Sequence, residues 1–407
     1  MLFESEEKSP LPDLKIFAGH PTQYHVPFYQ AICADGFEIE VGYYHHGTAD
    51  QLARDTEFGI DIKWDIDLLS GYPHQFFNQG EATYQWSEQT RIAPRLISWA
   101  LQDRKTPLLL MGWVTEIVWL IWLLRIFRRA PILVMSETTP LSFGFTPKPA
   151  WRVSLLRWLL QHSTANLFIG SRNRAFLQDM GVREEQLFRT PYSVDNARFA
   201  MEAKRLMPER NQLCQRHGLD PEKPVFLFCG KLIPKKRPIQ LLEAYLAAGL
   251  AERAQLLFVG EGVLRQELEH RIQLLDLKHV HLLGFLNQTQ MPLAYVLGEV
   301  LCLISDPTET WGLVVNEALA CRRPVIVSDT IGCSPDLVSS DNGWVTPLDN
   351  HEKLTQTLLY AFSHHNHWTK MGELGRNKVA GHTFSAMAGG VVSSLHFVQA
   401  IKRRGLL

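Results

Sequence analysis

Ten short apolar runs, alternating with longer stretches of helical composition, restrict this chain to one class of fold. In the first half they are Lys15–Gly19, Glu38–Tyr44, Leu108–Met111, Pro131–Met135 and Ala165–Gly170. In the second half they are Val225–Gly230, Gln255–Gly260, Val280–Gly284, Val300–Ser305 and Pro324–Asp329. Such near-continuous runs make strands that must be covered on both faces. Helices between them supply the cover, giving parallel sheets sandwiched by helices. A polar stretch over 196–224, with Pro208, Gly218, Pro221 and Pro224, divides the runs into two sets and reads as the interdomain connection. The expected organisation is α/β, with Rossmann-like domains over 1–200 and 201–384. The last helical pattern, Ser385–Arg404, forms a tail over 385–407 that can pack back on the first domain. Several runs end directly in Gly, Ser or Asp, at the sheet edge where open α/β folds hold ligands. Two such edges facing each other enclose a cleft for a small molecule.

Charge and cysteines narrow the function classes. A formal net charge of −1 gives no bulk field for nucleic acid, although local basic clusters can still hold a small anion. The six cysteines contain no C-x-x-C pair and read as reduced thiols of a cytoplasmic protein. Met1–Lys8 is acidic, without the long apolar stretch of a signal peptide. Leu108–Leu124 is the most apolar stretch, but Gly112, Thr115 and Glu116 interrupt it. It reads as a strand, a loop and an apolar helix rather than a span of about 20 residues. Trp151–Leu160 is basic and amphipathic, which suits peripheral contact with the inner face of a membrane; the alternative is that both helices simply cover the sheet.

Residues 300–320 carry the clearest chemistry. Val300–Ser305 is a strand, Asp306–Thr310 a turn-rich loop, and Leu313–Cys321 has helical composition. A helix beginning near Gly312 offers free amides and a positive dipole end to a phosphate. Glu309 lies ahead of that helix and Glu317 more than a turn inside it, so the two carboxylates can meet groups on either side of a bound phosphate. A carboxylate accepts two hydrogen bonds from a vicinal diol such as a ribose. The E-x7-E spacing alone is common; its position at a helix start makes it specific.

Gly230-Lys-Leu-Ile-Pro-Lys-Lys-Arg237 follows another strand and places Lys231, Lys235, Lys236 and Arg237 at the cleft edge. Cations there can neutralise a departing diphosphate, so neither a metal nor another cofactor is expected. The nearest spelling of a metal-binding carboxylate pair, Asp65-Ile-Asp67, falls outside the expected cleft loops.

In order along the chain, these residues resemble the donor domain of the family 4 glycosyltransferases, a retaining group of GT-B fold that includes sucrose-phosphate synthase. The matching features are Phe228–Leu232 with Lys236, Phe258–Gly262, Leu283–Leu286, Glu309-x7-Glu317 running into Ala318–Ala320, Pro324–Asp329 and Asn342–Val345. The likeness is strong over about 224–347. It is weaker at Gly19–Pro27 and at Pro191-Tyr-Ser-Val-Asp195, where Tyr192 and Ser193 stand in place of Asn and Gly. Lys231 replaces the usual Arg, keeping the charge without the bidentate geometry. Trp311 stands where Phe is commoner. Glu137 follows the strand after which many relatives carry a His that contacts the transferred sugar.

The resemblance implies two Rossmann-like domains facing across a cleft. It implies transfer of a sugar, with retention, from a UDP- or GDP-linked donor to a glycan, lipid or small-molecule acceptor. Lys231 and Lys236 would hold the diphosphate, Glu317 the ribose and Glu309 the donor sugar. The Gly312 and Leu313 amides would meet the distal phosphate, and Phe285 and Leu286 would border the base. Glu137 would face the reacting centre. His20, Gln23, Tyr24 and His25 would line the acceptor side. Three rivals differ in class. A non-catalytic GT-B protein that binds a nucleotide sugar or a glycan draws support from Glu137. A nucleotide-sugar epimerase would need no acceptor. A Rossmann oxidoreductase lacks a G-x-G-x-x-G after its first strand.

Overall fold

The computed structural model describes residues 12–49, 52–55, 58–78 and 84–405. The acidic segment Met1–Lys8 lies outside them. In chain order the first strands are β1 (Leu14–Ala18), β2 (Ile39–Tyr43), β3 (Ala53–Asp55), β4 (Ile60–Ile62) and β5 (His74–Phe76). Then come β6 (Leu108–Met111), β7 (Ile132–Ser136), β8 (Ala165–Phe168) and β9 (Leu187–Arg189). The second half holds β10 (Val225–Cys229), β11 (Gln255–Val259), β12 (Val280–Gly284), β13 (Val300–Leu303), β14 (Val325–Ser328) and β15 (Gly343–Thr346).

All ten apolar runs form strands, and they occupy the inner positions of two parallel sheets, with β12 at one edge. The first sheet has the order β5-β2-β1-β6-β7-β8-β9 and the second β12-β11-β10-β13-β14-β15. The strands absent from the sequence reading sit where continuous apolar cover is not required. β5, β9 and β15 are sheet edges, and β3 and β4 form a separate antiparallel hairpin. His74-Gln-Phe and Leu187-Phe-Arg are too short and too polar to read as buried strands.

The polar segment over 196–224, read as the interdomain connection, is not a bare chain. It is largely helical, with helices Asn196–Leu206 and Arg210–Arg216. The Asp195 carboxylate caps the first by accepting from the Arg198 amide. Phe199, Ala203, Leu213 and Cys214 are buried, so the segment is packed helix with a polar outer face.

The last helix, Phe384–Arg403, lies along helix Val26–Ala34 and beside β8 and β9. Phe397 meets Phe188, with ring centres 5.5 Å apart. One apolar cluster runs from the inner face of the first sheet through Tyr192 and Val194 to helix Leu313–Ala320 and the second sheet. The loops at the C-terminal ends of the strands are therefore held opposite one another.

Candidate active site

The site begins at the end of β13. The chain leaves the strand, turns through Glu309 and enters helix Leu313–Ala320 at Gly312. Gly312 has φ +93, and a Cβ there would lie 2.9 Å from the Leu303 side chain. Only glycine fits that left-handed corner, and it sets the helix start beside Glu309. Glu317 lies on the buried face of the helix, 1% exposed. The Tyr295 hydroxyl donates to its Oε2 at 2.6 Å. The Tyr24 hydroxyl reaches Oε1 from the other domain over a long 3.4 Å. Burial pushes the Glu317 carboxyl up to about 7, against the opposing pull of the two tyrosine hydrogen bonds and Arg198.

The loop after β10 lies alongside. The Asp306 amide donates to the Lys235 carbonyl at 2.9 Å, joining the two loops. The Lys236 ammonium forms an ion pair with Glu309, both side chains largely buried. Lys231 turns the other way, its ammonium 3.2 Å from both Asp55 oxygens and 4.8 Å from the centre of the Phe58 ring. The expected cations therefore share a sheet edge but face different carboxylates. Phe58 meets Phe285 edge-on at 5.2 Å, with Trp64 6.3 Å from Phe285 on another side. Leu286 is half-buried against the common apolar cluster. Phe285 thus sits in an aromatic corner closed by the β3–β4 hairpin of the first domain.

The loop after β1 supplies the opposite wall. Gln23 lies beside Tyr24 and works against the rise that burial imposes on the Tyr24 pKa. His20 stacks on His45 at 5.0 Å, and burial lowers its pKa, with Asp55 and Lys231 acting in opposite directions on it. His25 is half-buried, and desolvation pushes its pKa down to about 4, so it is neutral near pH 7. Its Nε2 lies 3.1 Å from the Tyr192 hydroxyl, which in turn donates to Glu137 Oε1 at 2.6 Å. With that proton committed to Glu137, the contact to His25 requires the histidine to donate from Nε2. Glu137 Oε2 accepts from the Thr310 hydroxyl at 2.8 Å. Burial raises the Glu137 pKa, these two hydrogen bonds resist the rise, and the nearby Glu309 adds to it. A continuous chain of hydrogen bonds, His25–Tyr192–Glu137–Thr310, thus crosses the cleft and ends next to Glu309.

Tyr192 is the hub of that chain. Its carbonyl accepts from Asn316 Nδ2 at 3.1 Å and lies 3.2 Å from His382 Nδ1. Asn316 is itself held by the Trp311 indole N–H at 2.9 Å. Trp311, at the position where Phe is commoner, therefore fixes the helix that carries Glu317.

Asp65, read from the sequence as outside the cleft loops, lies at a seam between the two domains. It accepts from the Thr289 amide at 3.2 Å and from its hydroxyl, while Asn287 donates to the Lys63 carbonyl. Asp67 instead accepts from the Leu69 and Ser70 amides. The two carboxylates serve an interdomain seam and a turn. No cluster of three His, Cys, Asp or Glu side chains able to hold a metal ion occurs among the described residues. Asp55, Tyr295 and Thr310 escaped the sequence reading. Asp55 sits on a three-residue strand, Tyr295 reads as core, and Thr310 differs from its loop neighbours only by where the fold places Glu137.

Residues 209–378 match the family of glycosyl transferases group 1. Among similar curated proteins, the alpha-D-kanosaminyltransferase of Streptomyces kanamyceticus is 32% identical over 142 residues, which cover 34% of this chain and 36% of that protein. A GDP-mannose-dependent alpha-(1-6)-phosphatidylinositol dimannoside mannosyltransferase of Mycobacterium tuberculosis is 30% identical over 132 residues, 32% of this chain and 33% of that one. The matched stretch thus spans about a third of the length of these relatives. Whole-chain likeness comes from solved structures. Sucrose-phosphate synthase from Thermosynechococcus elongatus superposes with a TM-score of 0.71 at 16% identity, covering 95% of this chain and 99% of that one. Anabaena HepE, solved in complex with UDP and glucose, gives 0.67 at 14% identity, covering 95% and 100%. At these identities the structures establish the fold, which is GT-B.

Proposed function

We propose that this chain, whose residues 209–378 belong to the group 1 glycosyl transferases, is a retaining glycosyltransferase that moves a sugar from a nucleoside-diphosphate sugar to a glycan, lipid or small-molecule acceptor. One observation carries the reading. Glu309, Lys236 and the helix start at Gly312 share one wall with the buried Glu317, and the Glu137–Tyr192–His25 chain faces them across the cleft. The donor diphosphate sits at the helix N-terminus, where the dipole and Lys236 favour negative charge. Lys231 adds a second cation on the same edge. Glu317 accepts from the ribose hydroxyls, taking them in place of the weak bond from Tyr24. Phe285 borders the base. Glu309, released as Lys236 turns to phosphate, meets the sugar.

The acceptor hydroxyl approaches from the same face as the departing diphosphate, and a phosphate oxygen takes its proton. Glu137 faces the positive charge that develops at the anomeric carbon, held in place by Tyr192 and Thr310. No metal or other cofactor is invoked, because the lysines supply the charge that the leaving group requires. UDP and GDP are both retained as donor nucleotides. A relative named GDP-mannose-dependent and a structural neighbour solved with UDP support one each. Six free thiols spread over the chain fit a cytoplasmic protein.

A second reading, a non-catalytic binder of nucleotide sugars or glycans, is favoured by Glu137 itself, because both its oxygens are already engaged. A thermal-shift screen with UDP-, GDP- and ADP-sugars tests the donor site. At least one should raise the melting temperature, and Lys236→Ala and Glu317→Ala should each abolish the rise. A well-folded protein indifferent to every nucleotide would overturn the donor site and, with it, the glycosyltransferase reading. Stabilisation without transfer to any of a panel of acceptors would favour the second.

A further inference from the structure

Residues 113–162 carry six Lys and Arg against two carboxylates, in a chain whose formal net charge is −1. Arg125 is buried against backbone carbonyls, and Glu137 belongs to the cleft. The surface charge of this region is thus Arg128, Arg129, Lys148, Arg152 and Arg157 against Glu116 alone.

The same region exposes apolar side chains where polar ones are the rule. Helix Glu116–Phe127 buries Ile117, Val118, Ile121 and Trp122 against the sheet. Its opposite face consists of Trp119, Leu120, Leu123, Leu124 and Phe127, all wholly or partly exposed, with Phe127 at 70%. A helix that merely covers a sheet carries charged or polar residues there. Helix Ala150–His162 runs beside it. At one end the Arg152 guanidinium lies 5.4 Å from the Trp119 ring centre and 3.8 Å from Glu116; at the other, Phe127 and Trp158 are 6.0 Å apart. Trp151, at the first turn of this helix, is 66% exposed. The segment leading to it exposes Leu141 and Phe145 as well.

We infer that this face docks on an anionic lipid bilayer. Exposed aromatic and aliphatic side chains enter the headgroup boundary, and the surrounding arginines and lysine meet anionic lipid. Trp119, Trp151 and Trp158 lie wholly or partly exposed on this face, the residue type favoured where apolar and wet surroundings meet. The long apolar helix Phe384–Arg403 is no competitor for this role, since Met387, Val391, Leu395 and Val398 are buried against the first domain. The face also runs into the cleft. Val114 follows the end of β6, and Leu141 lies four residues beyond Glu137. Docking therefore brings the rim beside Glu137 to headgroup level, which rests on the glycosyltransferase reading for its purpose but not for its occurrence.

Co-sedimentation with phosphatidylglycerol-containing and with pure phosphatidylcholine vesicles tests the inference. The protein should pellet with the anionic vesicles and be released as salt is raised. Phe127→Ser with Trp151→Ser, and separately Arg129→Ser with Arg157→Ser, should each weaken pelleting by about tenfold or more. Both variants should keep the parent melting temperature and nucleotide response. A parent protein that stays in the supernatant with anionic vesicles while still stabilised by a nucleotide would overturn the docking and leave glycosyl transfer standing. Pelleting without any nucleotide response would do the reverse. Light scattering that showed a dimer dissolved by Phe127→Ser/Trp151→Ser, with no vesicle binding, would assign the face to a second copy of the chain and overturn the bilayer.

Discussion

Replacing Glu317 by glutamine should make the protein more stable in alkaline buffer and at the same time blind to its donor. The side chain is buried, and its two oxygens are reached by the hydroxyls of Tyr295 and Tyr24. Glutamine keeps the shape. Its carbonyl can accept from Tyr295 and its amide can donate to Tyr24, so no buried group is orphaned. The folded carboxyl titrates near 7 against an ordinary 4.5. A rise of that size corresponds to about 3 kcal/mol favouring the protonated form. Because the folded pKa is the higher one, that stabilisation is complete below about 4.5 and is lost as pH rises through about 7. Glu317→Gln stays neutral throughout. Its stability advantage should therefore grow by about 2 kcal/mol between about pH 5.5 and about pH 8.5, the first part of the loss having already occurred by about pH 5.5. His25, depressed to about 4, works in the opposite sense, its contribution present above 6.5 and lost as pH falls through 4. It is common to both proteins and drops out of the difference. Melting curves of the two proteins at the two pH values, with and without nucleotide, are the assay. An advantage equal at both pH values would refute the buried carboxyl, and a full nucleotide response in the variant would refute its ribose role.

Other consequences are simpler. Tyr192→Phe removes the hydroxyl between His25 and Glu137; turnover should fall about tenfold or more with donor KM little changed, and a parallel loss of nucleotide binding would show a merely structural role. Gly260→Ala should be unfolded or destabilised by about 4 kcal/mol or more, since φ is +138 and the new Cβ would lie 1.9 Å from the Gly230 carbonyl oxygen; a melting temperature close to the parent's would contradict the close packing of these loops. Transfer should survive a metal chelator undiminished, and a loss restored by Mg²⁺ would show that Lys231 and Lys236 do not suffice.

The two sheets were legible because buried parallel strands leave continuous apolar runs, and all ten runs became strands. Edge strands such as His74–Phe76 need no such runs and left no trace. The loop and helix start carrying Glu309, Gly312 and Glu317 were legible for a different reason. Glu309, Gly312 and Glu317 lie close together in sequence, so local periodicity alone sets their spacing. Contacts across the cleft join residues far apart in the chain, and no pattern in one sequence records them. Lys231 with Asp55, Tyr24 with Glu317 and Tyr192 with Glu137 are of that kind. Tyr192 and Glu137 each stood out only as departures from a familiar motif. The structure brings the two departures into contact, so that a hydroxyl and a carboxylate that look unrelated in sequence form one hydrogen-bonded pair.

The central claim is transfer with retention, and the configuration of the product tests it most directly. The protein is incubated with UDP- and GDP-linked α-sugars and a panel of acceptors, and the new linkage is read by proton NMR. The account predicts release of the nucleoside diphosphate together with an α-linked product. A β-linked product, or a protein that binds the donor and never transfers its sugar to any acceptor, would contradict it.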